Sequence, residues 1–355
     1  MSTGPLDRDD LRQRVQKSLS AFVAGQLPAL DAVSEELSPL TDALSDMIAG
    51  GKRLRPAFCY WGFRGAGGQD SDGIVTASAA LELFQACALI HDDVMDGSDT
   101  RRGLPAVHRR FATLHRSESW FGDPETFGMG AAVLLGDLCL SWSDEMLSTS
   151  DLPAERLLEG HRVYDQMRTE LMGGQYLDLL EQARGGGSVE RALRVARYKS
   201  AKYTIEKPLH LGAVLAGADQ DVLDGYSGYG VPLGEAFQLR DDVLGVFGDP
   251  SVTGKPAGDD LREGKRTALV AMALETADRG QAAVVRRHLG DPHLSLDGVE
   301  QLREVIEQTG ALRRVEALID QLMDTSLSAL QTAPVQEPAR EVLQQLAVAA
   351  TARRL

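Results

Sequence analysis

The chain has 355 residues, 43% of them hydrophobic and 25% charged, with a formal net charge of −15. This is the make-up of a globular protein long enough to bury a sizeable core, and the acidic balance argues against nucleic acid as the main partner, because phosphate backbones demand a basic face. Cys59, Cys87 and Cys139 all stand among apolar residues without disulfide or zinc spacing, so they read as buried thiols of a reducing, cytoplasmic setting.

In chain order, the opening MSTGPLDRDDLRQRV is charged and lacks the apolar core of a signal peptide. GGKRLRP (50–56) follows a glycine pair and places Lys52, Arg53 and Arg55 at an expected helix start, where backbone N–H groups and the dipole favour anions. A solvated basic turn is the plainer alternative. GIVTASAALELFQACALIH (73–91) approaches the length of a membrane span, but it carries Glu82, Gln85, Ser78 and Thr76, and reads as a helix buried in a core.

That helix runs into LIHDDVMDGSDTRRG (89–103). Asp92, Asp93 and Asp96 share one helix edge at its C-terminal end, the negative end of the dipole. Either the cluster is a solvated turn, or a cation resolves the conflict. Oxygen donors without cysteine, and without histidine at a zinc spacing, suit Mg²⁺, with His91 a packing residue, and Arg101 and Arg102 supply planar donors for phosphate oxygens.

Further on, Val163, Met167, Leu171 and Tyr176 form a helical stripe, and Pro208 and Pro232 mark kinks or boundaries. GEAFQLRDDVLGVFGDPSVTGKPAGDDLREGKRT (234–267) brings a second pair, Asp241 and Asp242, followed by Lys255 and Lys265. GDPSVTGKP is no phosphate-binding loop of the GxxxxGK[ST] kind, since its glycines are wrongly spaced and Pro256 stands where a hydroxyl should bind metal. Gly- and Pro-rich breaks separate only helical segments, and strand alternation is missing. One all-α domain of ten or more helices over residues 1–355 is expected.

GGKRLRP, ELFQACALIHDDVMDGSDTRRG, YKSA, GEAFQLRDD and TGKP, in this order and spacing, resemble the trans-isoprenyl diphosphate synthases, or polyprenyl synthetases. The resemblance implies a helical bundle around a central cavity, usually a homodimer. It also implies Mg²⁺-dependent head-to-tail condensation of isopentenyl diphosphate with allylic diphosphates such as dimethylallyl, geranyl or farnesyl diphosphate. Carried over position by position, Asp92, Asp96 and Asp241 match the Mg²⁺ ligands, supported by Asp93 and Asp242. Arg101, Lys199, Ser200 (a threonine in most relatives), Gln238, Lys255 and Lys265 match the allylic diphosphate site. Lys52, Arg55, Gln85 and Arg102 match the isopentenyl diphosphate site.

One departure stands out: DDVLG has Gly245 where the family's second DDxxD motif ends in aspartate. On sequence grounds, Gly245→Asp should be tolerated and raise Mg²⁺ affinity. Cys87 and Ala88, five and four residues before Asp92, are small and should leave the first turn of the product tunnel open, with Phe84 a floor one turn deeper. That points to a twenty-carbon product, geranylgeranyl diphosphate. Alternatives are a farnesyl or longer-chain synthase, a class I terpene cyclase, whose second metal motif is not matched here, or a non-catalytic helical subunit.

Overall fold

The computed structural model describes residue 4 and residues 8–185, 187–248 and 258–351. Within these, the Ala-, Leu-, Glu- and Arg-rich segments between the Gly and Pro breaks are helices, as their propensities require. In chain order they are α1 (Leu11–Asp31), α2 (Ser38–Ile48), α3 (Leu54–Gly65), α4 (Asp72–Asp96), α5 (Val107–Ser117), α6 (Pro124–Ser148), α7 (Ala154–Arg184) and α8 (Val189–Val195). A π-helical stretch, Ala196–Glu206, leads into α9 (Lys207–Ala216) and α10 (Gln220–Phe247). The chain closes with α11 (Asp259–Arg262), α12 (Ala268–Thr276), α13 (Arg279–His288), α14 (Leu296–Gln308), α15 (Ala311–Thr332) and α16 (Ala339–Thr351).

Helix α4 is the centre of the larger apolar cluster. Ser71 caps its N-terminus by accepting from the Ile74 amide, and Gly97, at φ 67°, ends it in the left-handed conformation that glycine adopts without strain. The helix is apolar on nearly every side because α3, α6 and α1 cover it, and its best membrane-like window is 78% buried, which makes it a core helix. Helix α6 also has the length and apolarity to cross a membrane, yet only 39% of its window is buried. The second cluster gathers α10, α12, α14 and α15 around Leu239, Val243, Leu269 and Val315.

Three details differ from the sequence reading. The stripe on α7 runs through Met167, Leu171, Gly174 and Asp178, while Tyr176 is 65% exposed. A five-residue step carries Tyr176 about 140° past Leu171 at 3.6 residues per turn. A small sheet is present: β1 (Thr100–Arg101) pairs antiparallel with β2 (Leu104–Pro105) across Arg102 and Gly103, at φ 54° and 77°. Such positive φ values at both central residues make the two-residue hairpin turn that matches strand twist. Pro208 sits in the first turn of α9, but Pro232 lies inside α10, which continues through it.

Candidate active site

The carboxyl-terminal turns of α4 and α10 face one cavity of about 400 Å³. Its wall includes Asp92 and Arg101 on one side, Asp241, Asp242 and Gln238 on the other, and Lys199, Ser200 and Lys265 between them. Arg55, Gln85 and Ala88 extend the wall further.

Each carboxylate of the first cluster is met by a different cation. Lys199 donates to Asp92 at 3.0 Å and to Asp178 at 2.7 Å, and Gln175 also donates to Asp92 at 3.0 Å. Arg101 Nε donates to Asp93 at 2.9 Å, and its Nη2 to the same oxygen, from its place on β1. Lys265 lies 3.5 Å from Asp96 and 2.7 Å from Glu263. These cations offset the unfavourable placement of three acids at the end of a helix dipole.

The compensation is uneven. Burial pushes Asp92 upward, but Lys199, Lys265 and Arg101 outweigh it and hold its carboxyl below the usual range. Asp96 is pushed up to about 6 by burial and by the charge of Asp92. Lys265 itself is held well above its ordinary value, burial notwithstanding, by Asp260, Glu263, Asp96 and Asp92. Asp96 gains less than Lys265 because one ammonium is shared among several acids, with Glu263 nearest. Asp242 is pushed up to about 8 by burial and by Asp260 and Asp241, although Gln238 donates to it at 2.8 Å.

The donors suit a hard divalent cation. Only oxygen ligands are offered, and both carboxylate oxygens of Asp96 are buried without a hydrogen-bond partner. Among the described residues no three His, Cys, Asp or Glu side chains converge on one metal point, since Lys199 and Lys265 stand among the acids. This geometry permits one or two carboxylates per Mg²⁺, with the remaining positions filled by phosphate oxygens.

The basic loop lies beside this centre. Arg53, at φ 55°, precedes α3 and is buried in an ion pair with Glu82 of α4, which anchors the loop. Arg55 donates to Thr204 at 2.8 Å and stacks over Tyr203 at 4.2 Å, while Tyr203 donates to Gln85 at 2.5 Å. Arg102, at the hairpin tip, donates to the Met47 carbonyl at 3.0 Å and brings its guanidinium against Gly51. Lys52 is exposed, and Lys255 lies outside the described residues.

Two expectations change. A side chain on Gly245 would run into Asp260, whose Cγ would be 2.8 Å from the new Cβ, so Gly245→Asp requires the Asp260 side chain to turn away from α10. Cys87 does not line the cavity: its Sγ lies 3.8 Å from His91 Nδ1, and Asp137 of α6, after burial, helps raise the thiol to about 12. Phe84 is buried just beyond Ala88, edge-on to Tyr164 and Tyr203 at 5.7 and 5.4 Å. Sequence reasoning missed Asp178, Tyr203, Glu82, Asp260 and Glu263. Asp260 and Glu263 stand in the GDDLREGK segment already singled out for its lysine, Glu82 opens the ELFQACALIHDD run and Tyr203 closely follows YKSA, whereas Asp178 lies on a helix that carries no local signature.

The polyprenyl synthetase family model matches residues 38–307. A geranylgeranyl diphosphate synthase of Mycobacterium tuberculosis is 32% identical over 83% of this chain and 79% of its own length. A geranylfarnesyl diphosphate synthase of Aeropyrum pernix is 33% identical over 76% of this chain and 79% of its own. Among solved structures, geranylgeranyl pyrophosphate synthase of Corynebacterium glutamicum, complexed with isoprenyl diphosphate and magnesium, superposes with a TM-score of 0.94 at 41% identity, covering 98% of this chain and 99% of that one.

Proposed function

The chain belongs to the polyprenyl synthetase family of all-helical prenyltransferases, and within that family we propose that it joins isopentenyl diphosphate head-to-tail to allylic diphosphates and releases a twenty-carbon product. The observation that carries this reading is the meeting of two aspartate motifs, from α4 and α10, across one cavity with Lys199 and Lys265 between them.

In this reading Asp92, Asp96 and Asp241 hold Mg²⁺, with Asp93 and Asp242 behind them. Bound there with the allylic diphosphate, Mg²⁺ supplies the positive charge that stabilises the diphosphate as a leaving group. Arg101, Lys199, Gln238, Lys265 and Lys255 hold that diphosphate, and Ser200 borders it. Permanently aimed cations serve ionisation because they need not reorient as charge develops. Lys52, Arg55, Gln85 and Arg102 hold isopentenyl diphosphate, the Arg55–Tyr203–Gln85 contacts fixing the side chains of Arg55 and Gln85 beside the cavity. The apolar wall at Ala88, Leu89 and Leu171 excludes water, which would otherwise trap the cation.

Product length follows from α4. Ala88 leaves the wall open one turn below Asp92, and in this reading Phe84, buried a turn deeper against Tyr164 and Tyr203, is the floor that stops the growing chain. One helical turn is about 5.4 Å of depth, close to one isoprene unit. One domain spanning 1–355, a homodimer and a cytoplasmic setting complete the reading. Exposed Phe127, Val133 and Leu134 on α6 support the dimer, and three buried thiols support the setting.

The test incubates the protein with dimethylallyl, geranyl or farnesyl diphosphate, Mg²⁺ and labelled isopentenyl diphosphate, and separates products by chain length. Geranylgeranyl diphosphate should accumulate, and Asp92→Ala should abolish it. A cyclised hydrocarbon, no product, or an Asp92→Ala variant of normal rate would defeat the reading.

A further inference from the structure

We propose that Asp260 supplies from α11 the carboxylate that Gly245 withholds from the second aspartate motif on α10, an inference that rests on the reading of this cavity as a Mg²⁺–diphosphate site. Asp241 and position 245 are four residues apart on α10 and therefore share a face. A carboxylate at 245 would stand one turn beyond Asp241. Glycine leaves that place without a side chain, but the place is filled. A Cβ built on Gly245 collides with Asp260 Oδ2, and also meets Asp260 Cγ at 2.8 Å and Cβ at 3.5 Å.

The orientation of Asp260 is fixed from its other side. Its Oδ1 lies 3.4 Å from Lys265 Nζ, and the Lys265 amide donates to the Asp260 carbonyl at 3.0 Å. With Oδ1 held by the lysine, Oδ2 is turned over Gly245, and the residue forms part of the cavity wall. The same lysine sits 3.5 Å from Asp96, whose side chain is 1% exposed and whose two oxygens have no hydrogen-bond partner. A buried carboxylate left without hydrogen-bond donors, beside one lysine already claimed by Asp260 and Glu263, is short of positive charge. Asp260 stands on the side of that lysine nearer to Asp241's helix, where it serves a cation held between the two motifs.

Glycine at 245 and aspartate at 260 are thus two halves of one solution. Either position can present the carboxylate, and an aspartate at 245 would have to displace the Asp260 side chain from the place it holds.

The experiment titrates Mg²⁺ calorimetrically into the full-length protein in the presence of inorganic diphosphate, and records the melting-temperature shift in parallel. Asp260→Ala and Asp260→Asn should each weaken Mg²⁺ binding by about tenfold or more. Gly245→Asp alone should bind poorly and lower the melting temperature. The double variant Gly245→Asp with Asp260→Ala should recover to within about threefold of the parent, since the carboxylate has moved rather than vanished. Unchanged affinity in Asp260→Asn overturns the proposal, as does a folded double variant no tighter than Asp260→Ala. If the parent protein itself fails to bind Mg²⁺ with diphosphate, the reading of the cavity falls, and this inference with it. Recovery in the double variant cannot come from a purely structural Asp260, because its contact with Lys265 would still be missing.

Discussion

Asp242 shows how the charge balance of single residues governs stability. Its carboxyl, ordinarily near 3.8, is raised to about 8 by burial first and by neighbouring acids second. A raised folded pKa means that the neutral acid is favoured in the fold, so its contribution is complete below pH 4 and is lost as pH rises through 8. Asp96 acts in the same direction over a narrower window that closes near 6. The metal-free protein should therefore lose melting temperature between pH 5 and 8, each group costing up to about 1.4 kcal/mol per pH unit. Asp242→Asn should flatten the upper part of that decline while impairing catalysis. Calorimetry in a chelator across this range checks both. A melting temperature that climbs from pH 6 to 8 would contradict the assignment.

At the scale of elements, α4 carries the first aspartate cluster at one end and the expected product floor along its length. Ala88→Phe should shift products toward fifteen carbons, and Phe84→Ala toward twenty-five or more. Each change moves the floor by one turn, about 5.4 Å. Product chromatography decides, and a distribution that neither substitution moves would place the floor elsewhere. The loop before α3 makes a separate prediction. Lys52→Ala and Arg55→Ala remove charge-assisted contacts that typically contribute about 1.5–3 kcal/mol, so the KM for isopentenyl diphosphate should rise about ten- to hundredfold. The KM for the allylic substrate should change far less, because Lys199 and Lys265 hold that side of the cavity. Equal rises for both substrates would merge the two sites into one.

At the scale of the whole molecule, the two membrane-length helices part company. Helix α4 has its apolar surface covered by its own chain, whereas α6 leaves Leu134 at 65% exposure and Phe127 and Val133 near 40%, beside Phe121 and Trp120. In the proposed homodimer these exposed apolar side chains are the association face. Leu134→Glu combined with Val133→Glu should yield monomers in analytical ultracentrifugation without unfolding the helix. A parent protein that sediments as a monomer would remove the homodimer from the proposal.

The helical class, the membership of the family and the two acidic clusters were legible in the linear chain, because each depends on short-range order. Helical propensity, Gly and Pro breaks, and carboxylates three or four apart act within a few residues. Which cation meets which acid was decided only by tertiary structure. Lys199 reaches Asp92 across 107 positions, and Asp178 joins it from another helix with no motif of its own. The arginines of TRRG proved to ride a hairpin, whose turn depends on positive φ at Arg102 and Gly103. Gly245 is the clearest case. In the sequence it is a missing aspartate; in the fold its emptiness is the room that Asp260 occupies, since two side chains cannot share one volume in a close-packed interior.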